Sequence, residues 1–540
     1  MELGGINEHI GEMLEAIADL LEMKGENVYR VMAFRKAART ILNLPRRIER
    51  KEDVLGLPNI GKGIGDVIGE ILIKGTSSLY ENLTKEIPEG VREFTQIYGI
   101  GPKTAYNIYK TTGASSLEEL YRIVSTGSLE NFPELKGKTI EKILTGIERA
   151  IEKKKLLRLD QGYGIYLLLE DSLKDKHFID KVMLVGGIRR GKEINEDVDV
   201  LVSTRDINQA DSFIRSNFDT NILDVKFSEP ESFIYNMFLY TGVRSHTEKV
   251  LDMIKEKSTF LSEQDIYNMA HLQFIPPEIR EDIGEIELAR NFGLPELITP
   301  SSIKGDLHIH SLWSDGTANI LDMANECIKR GYKYMAITDH SSSLKVAGGL
   351  SPEEIKEQHR ELSLITEKLD GFTILKGLEV DILPDGTLDM PEEALRSLDI
   401  VIASIHTNFR MSEDEMTERI VRAISNPYVN ILAHPTGRIL LTRDPYKVDI
   451  EKIFRVAAEK GIILEINSSP ERLDLNESLI REGKRYGLKF AVNTDAHSIM
   501  HLDNMFYGVI TARRGWLEAD DVVNTYEISE LLRLLRRDAQ

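Results

Sequence analysis

KGDLHIHSLWSDG, residues 304–316, decides the fold of this chain. Its short apolar run ends in two histidines one residue apart. In a strand, residues i and i+2 share a face, so His308 and His310 can aim both imidazoles at one point. Six further apolar runs follow: YKYMAITDH (332–340), FTILKGLEVD (372–381), DIVIASIHT (399–407), YVNILAHP (428–435), IILEINSS (462–469) and LKFAVNTDAH (488–497). Helical stretches such as EEIKEQHRELSLITEKL (353–369) lie between them. Seven β-then-α units predict a parallel sheet, most simply a barrel, whose strand C-termini ring one mouth.

Six of these seven runs end in His, Asp or Glu: His308 and His310, His340, Glu379, His406, His434, then Asp495 and His497. Asp315 follows the first strand. Imidazole and carboxylate suit Zn²⁺ or Mn²⁺. Nine such positions are too many for one ion and fit two or three. A lone histidine after a strand commonly caps or packs. Nine converging ones left unpaired would carry a heavy cost in desolvation and repulsion. His9, His177, His246, His271, His359 and His501 lack this placement and read as structural or surface residues.

Upstream, KVMLVGGIRRGKE (181–193) and EDVDVLVST (196–204) read as two strands joined by a Gly/Arg turn, and TNILDVKF (220–227) as a third. Alternation puts Asp197 and Asp199 on one face. If the third strand pairs beside them, Asp224 completes a set of three carboxylates, as two Mg²⁺ ions require in nucleotidyl transfer. Gly186, Gly187 and Arg190 place small residues and a cation where a triphosphate would lie. An Asp-x-Asp pair alone is common on solvated faces. The order Gly-Gly, basic turn, DVD strand, then Asp is far more specific. ITPSSIKGD (298–306) reads as a linker.

Residues 1–155 read as amphipathic helices separated by glycine turns, with a unit recurring in LPNIGKGIGDVIGEIL (57–72), IYGIGPKTAYNIY (97–109) and FPELKGKTIEKIL (132–144). The whole chain has 540 residues, enough for about three or four domains. Its net charge of −20 argues against a simple polyanion binder. That average hides basic clusters at 34–39, 45–50 and 152–158 in a roughly neutral first part, and an acidic remainder. The one cysteine, Cys327, excludes a disulfide framework and a thiolate-rich zinc site. No apolar run reaches about 18 residues, and the start carries no secretory signal. These features predict a soluble, multidomain, cytoplasmic protein.

DLHIHSLWSDG, ITDHS, GLEVDI, SIHTN, AHPTGR and NTDAHS resemble the PHP (polymerase and histidinol phosphatase) domain. The resemblance implies a distorted (β/α)7 barrel that holds up to three Mn²⁺ or Zn²⁺ ions and hydrolyses phosphoesters. It implies one ion on His308, His310, Glu379 and Asp495, a second on Glu379, His406 and His434, and a third on Asp315, His340 and His497. Arg438 and Arg472 are candidates for contacts to substrate phosphate. VGGIRRGKE…EDVDVLV, LDVKFSEPESF, LYTG and SEQDIYNMAHLQFIPPEIREDIGEIELA are similar to the palm and thumb of family X DNA polymerases. FRKAA and LPNIG are similar to that family's N-terminal domain.

This second resemblance implies helix-hairpin-helix domains at 1–85 and 86–157, an α/β nucleotidyltransferase palm at 158–245, a small thumb at 246–298 and the PHP domain at 299–540. It implies a repair polymerase acting on gapped or primer-template DNA with dNTPs. Asp197, Asp199 and Asp224 would hold Mg²⁺ or Mn²⁺, and Gly186, Gly187, Arg190, Tyr240 and Gly242 would bind the nucleotide. The PHP domain would add 3′-5′ exonuclease activity, with abasic-site cleavage or 3′-end cleaning in some members. Gly61, Gly63, Gly99 and Gly101 would offer backbone N–H groups to DNA phosphates, with a monovalent cation at the hairpin turns. A monomer suffices for such work.

Several residues depart from the family pattern. Val67 stands where lyase-active members carry a Schiff-base lysine, and Gly63 where another lysine occurs. The amine needed for that covalent route is missing, which predicts no strong lyase activity of this type. Gly187 replaces a triphosphate-binding serine, the TGS turn reads Thr241-Gly242-Val243, and Thr247 replaces an asparagine. RLDQGYGIY (158–166) lacks the usual proline-containing form. These changes predict weak or distributive polymerisation. One alternative reading is a nuclease whose palm only holds DNA. Another is a small-molecule phosphatase, which leaves the first 300 residues unexplained.

Overall fold

The computed structural model describes residues 5–42, 44, 48, 50–97, 100–126, 140–254 and 259–535. The chain forms two compact units, Met1–Lys155 and Leu156–Gln540.

The first unit is helical. Helices Gly5–Met23 and Val28–Leu42 form an antiparallel pair around Ile10, Leu14, Ile17, Phe34 and Ile41. Lys62–Lys74 and Pro102–Thr112 are the helices that follow the first two glycine turns. Gly61 and Gly101 sit in extended conformation at their N-caps, and Gly75 and Gly113 close them in the left-handed region. At Gly61, Gly63 and Gly101 a side chain would meet open space, so no packing among the described residues demands glycine there. Gly99 lies outside the described residues, as does most of the third repeat. Val67 is half-buried against the helical core.

The second unit begins with β1 (Leu157–Arg158), paired antiparallel with β3 (Ile194–Asn195). A three-stranded sheet follows in the order β2 (Lys181–Leu184), β4 (Val198–Ser203), β5 (Leu223–Ser228). β4 is antiparallel to β2 and parallel to β5. The first predicted strand is shorter than expected. It stops at Leu184, and Gly186–Arg189 make a single helical turn, entered through a positive φ of 64° at Gly186 that glycine adopts without strain.

Seven parallel strands form the larger sheet: β6 (Gly305–Ile309), β7 (Tyr334–Ile337), β8 (Thr373–Asp381), β9 (Ile400–Ser404), β10 (Ile431–Leu432), β11 (Ile463–Asn467) and β12 (Phe490–Asn493), in sequence order. Past the strand ends, His310 N–H donates to the Ala496 carbonyl at 2.9 Å, and Ala496 N–H to that of His308, drawing the first and last strands into a near-closed barrel. Every residue of β6, β7, β9, β11 and β12 is buried. Covering on both faces explains why these strands read as continuous apolar runs. One apolar cluster joins strand residues to the helices through Met323, Ile355, Ile420 and Phe454. A second, around Leu307, Tyr334, Ile402, Ile431 and Ile463, is closed by Val523 and Leu531.

The expected linker at 298–306 is instead docked. Ile298 is buried, its N–H donates to the Leu517 carbonyl at 2.9 Å, and its own carbonyl accepts from Arg513 at 2.7 Å. The three-stranded sheet also shares its apolar core with Leu440 and Leu473 from barrel loops. No helix among the described residues is long and apolar enough to cross a membrane.

Candidate metal centres

The barrel mouth gathers all nine ligand candidates around Glu379 on β8. Glu379 Oε2 lies 2.9 Å from His340 Nδ1, 3.4 Å from His308 Nε2 and 3.5 Å from His310 Nε2. Its Oε1 lies 3.1 Å from His434 Nε2 and 3.4 Å from His406 Nε2. Three groups place their ligand atoms within 4.8 Å of one another: His310, Asp315, His340 and His497; His308, His310 and Asp495; His340, Glu379 and His406. The grouping differs in detail from the implied one. His310 faces two groups, and His340 lies with Glu379 and His406 as well as with Asp315.

These side chains fit a cation and little else. His308 Nε2, His310 Nδ1, Asp315 Oδ1 and Glu379 Oε2 are buried without a hydrogen-bond partner, and the 2.9 Å approach of His340 Nδ1 to Glu379 lacks hydrogen-bond geometry. Buried lone pairs turned on one another are costly unless a cation takes them. Two of the residues sit at positive φ, His434 (28°) and Asp495 (53°), a backbone cost borne at the mouth itself.

Charge is divided unevenly among the imidazoles. Burial opposes a charge on His497, but the Asp315 carboxylate, 3.3 Å away, and Asp495 hold it protonated up to about 9. Burial and then His497 and His340 push His310 down to about 4. Asp315 is held well below the usual carboxylate range despite its burial, by the charge of the His497 imidazole 3.3 Å from its Oδ1.

Two residues that the sequence reading passed over orient the ligands. His308 donates Nδ1–H to Glu465 Oε1 at 2.7 Å, and His406 donates Nδ1–H to Asp381 Oδ1 at 2.6 Å. Each bond fixes the tautomer that turns Nε2 toward Glu379. Asp381 lies two residues after Glu379 on the same strand, and that spacing is the signal that could have found it. Buried Asp339, next to His340, accepts from Ser311 N–H (2.8 Å), Ser311 Oγ (2.6 Å) and Gln358 Nε2 (2.6 Å), and so pins the loop after β6. His501, read as structural, accepts the His497 N–H at 3.3 Å.

A second carboxylate group lies on the three-stranded sheet. Asp199 on β4 stands beside Asp224 on β5 in register, and Asp197 precedes Asp199 by one pleat. Carboxylate oxygens of the three lie within 4.8 Å of one another. Burial, then Asp197 and Asp224, push Asp199 up to about 6. Burial and Asp224 raise Asp197 as well. Such mutual repulsion is what divalent cations relieve. Lys226, on the same strand face as Asp224, supplies a partial substitute, its Nζ reaching both carboxylate oxygens at 2.6 and 2.7 Å.

Glycine is dictated at one position of the adjoining turn, Gly186. A Cβ at Gly186 would fall 1.8 Å from Asp199 Oδ2, and one at Gly187 would fall 2.3 Å from Asn195 Oδ1. The second contact is with the end of the Asn195 side chain, which can shift, so nothing here explains glycine in place of the family's serine. Gly242 packs closely on His246 and Thr247, and Thr247 itself is buried. Tyr240 lies under Lys226, whose ammonium is 5.9 Å from the ring centre.

Two arginines expected at phosphate are committed elsewhere. Arg190 is buried and spent inside the protein, donating to Glu281 at 3.0 Å and to the Thr241 carbonyl at 2.8 Å, so it is not free to meet a triphosphate. Arg438 grips Glu193 with both terminal nitrogens (2.9 and 2.6 Å) and also donates to the carbonyls of Arg472 and Leu473, which leaves no fork for substrate phosphate. Arg472 lies at the mouth, its Nε 3.9 Å from Asp495 Oδ2.

A helix-hairpin-helix unit, a sheet bearing three clustered aspartates and a barrel with a histidine-lined mouth define a class: chains that join a nucleotidyltransferase-like sheet to a PHP phosphoesterase barrel. The family model described as "Helix-hairpin-helix domain" matches residues 6–77, and "PHP domain" matches residues 306–469. The DNA polymerase/3′-5′ exonuclease PolX of Bacillus subtilis (strain 168) is 36% identical over 564 residues, covering 97% of this chain and 98% of that protein. A probable phosphatase of Thermoanaerobacter sp. (strain X514) is 35% identical over 232 residues, covering 41% of this chain and 89% of that protein. The chain therefore belongs to the family X DNA polymerases that carry a C-terminal PHP domain.

Proposed function

We propose that this chain fills short gaps in DNA and trims 3′ ends, using two sites that share no residue. The observation that carries this reading is the pairing of two separate carboxylate clusters on one chain with hairpin glycines that face open space. Asp197, Asp199 and Asp224 present carboxylates where a primer 3′-hydroxyl attacks the α-phosphorus of a dNTP and pyrophosphate leaves. Gly186 and Gly187 let the backbone approach the triphosphate, with Tyr240 and Gly242 beside it. At the barrel mouth, water attacks the last phosphodiester and a nucleoside monophosphate leaves. There Glu465 and Asp381 hold His308 and His406 in the tautomer that accepts rather than donates toward the centre.

When bound, divalent cations lower the pKa of water and neutralise phosphoryl oxygens. The donor sets suit Mg²⁺ or Mn²⁺ on the aspartates and Mn²⁺ or Zn²⁺ among the imidazoles. Gly61, Gly63 and Gly101 offer backbone contacts to phosphate, with a monovalent cation at the turns, so DNA is held without a strongly basic surface. The five-part division given from sequence, action as a monomer and a cytoplasmic location belong to the same reading.

Three substrates test it. A gapped duplex with dNTPs is expected to be extended. A 5′-labelled primer without dNTPs is expected to shorten stepwise. Histidinol phosphate is expected to stay intact. Trimming without extension would favour a DNA-holding palm, and hydrolysis of histidinol phosphate alone would overturn the proposal.

A further inference from the structure

Commitment of Arg438 to Glu193 leaves open what recognises substrate phosphate at the barrel mouth. Three loops leave adjacent strands there, one each after β9, β10 and β11, and the last two are joined by the Leu440 N–H, which donates to the Glu471 carbonyl at 2.7 Å. The first carries Phe409, three residues past His406. The second carries Arg443, whose Nε donates to the Gly437 carbonyl at 2.9 Å. Its guanidinium lies over the Phe409 ring, 4.1 Å from the ring centre. Phe409 stacks in turn on buried Tyr446, whose hydroxyl donates to the Pro435 carbonyl at 2.6 Å. Arg443 is thus held by one nitrogen and one ring face. Among the described residues no carboxylate is within ion-pair distance of it. The third loop carries Arg472, 3.9 Å from Asp495 in the ligand cluster.

The two guanidiniums are electrostatic neighbours. Burial and then the Arg472 charge hold Arg443 below its ordinary pKa. Asp474 and Tyr446 offset part of that repulsion, and Arg472 has Asp495 near it. Arg443 has no carboxylate within ion-pair distance among the described residues, so an anion reaching both guanidiniums would relieve it. A planar fork suits phosphate bidentately.

We propose that Arg443 and Arg472 form a clamp for the phosphodiester backbone of the strand being trimmed. Arg472, beside Asp495, takes the scissile phosphate, and Arg443, further out, takes the phosphodiester one nucleotide upstream. The clamp rests on the trimming activity proposed above, and it selects strands with at least two phosphodiesters over isolated phosphoesters.

Chemical modification reads occupancy of the clamp without turnover. In EDTA, the full chain is treated with phenylglyoxal, and modification of each arginine is followed by mass spectrometry. The thymidine trinucleotide d(TpTpT) is expected to protect Arg443 and Arg472, while thymidine and inorganic phosphate at the same concentration do not protect Arg443. With metal restored, Arg443→Ala is expected to raise KM for trimming the trinucleotide about tenfold to a hundredfold, the scale of one charge-assisted contact. Hydrolysis of the single ester thymidine 5′-p-nitrophenyl phosphate should change far less. Arg443→Lys should fall between, since it keeps the charge and loses the fork. Absence of protection at Arg443, equal protection by inorganic phosphate, or equal loss on both substrates overturns the clamp. Protection at both arginines in a chain that trims nothing would sustain the clamp and reject the trimming reading instead.

Discussion

Replacing Asp199 by asparagine should abolish extension of a gapped duplex while trimming of 3′ ends continues at the wild-type rate. Asp199 is the inner member of its cluster, beside Asp224 in register and against Gly186. Asparagine keeps the shape and removes the charge that a divalent cation needs. Losing a partner that merely orients a metal ligand costs about 10- to 100-fold. Loss of a carboxylate at the centre of the site should exceed that range. Stability should move the opposite way. Burial and two neighbouring carboxylates raise the folded-state pKa of Asp199 to about 6 from an ordinary value of 3.8. A carboxyl raised in this way opposes folding once the pH exceeds its unfolded value, most fully above about 6. In metal-free buffer near neutral pH, the variant should unfold at a temperature no lower than wild type. Extension that persists, or extension and stability lost together, would count against a catalytic role for Asp199.

Glu379→Gln should give the converse result, ending trimming and sparing extension. Five imidazoles approach its two oxygens within 3.5 Å, and no other residue of the mouth touches so many. The amide nitrogen of glutamine would face imidazole nitrogens already held as acceptors by Glu465 and Asp381, and it can supply no anionic ligand. Trimming should fall by more than about a hundredfold, and the metal carried through purification, measured by plasma emission, should fall with it. Extension should persist, because no residue of the three-stranded sheet lies in the mouth. Loss of both activities would mean that Glu379 supports the fold rather than the site.

Much of this was legible in the sequence, for reasons that particular residues make plain. Parallel strands buried on both faces carry unbroken apolar runs, so the seven barrel strands stood out. Ligands at i and i+2, as in His308-x-His310 and Asp495-x-His497, advertise a shared face. What stayed hidden depends on neighbours distant in sequence. Glu465 ends in contact with His308, 157 residues away, and nothing in IILEINSS signals that meeting. Arg438 looked free until the fold brought it to Glu193, 245 residues upstream. Arg190 was likewise claimed by Glu281, 91 residues on. A guanidinium declares its charge in a sequence but not the acid that satisfies it. Local backbone was also opaque. The Gly-Gly turn became one turn of helix against Asp199, and the supposed linker at 298–306 docked through Ile298 on Leu517 and Arg513, partners that its own residues do not announce.

Two separate cation-gathering sites on one chain are the central claim, and anomalous diffraction from crystals grown with Mn²⁺ tests it most directly. Peaks should appear both among Asp197, Asp199 and Asp224 and within the ring formed by His308, His310, Asp315, His340, Glu379, His406, His434, Asp495 and His497. A map in which either cluster stays empty at saturating Mn²⁺, with Lys226 still closed on Asp224 or the mouth histidines bonded only to one another, would contradict it.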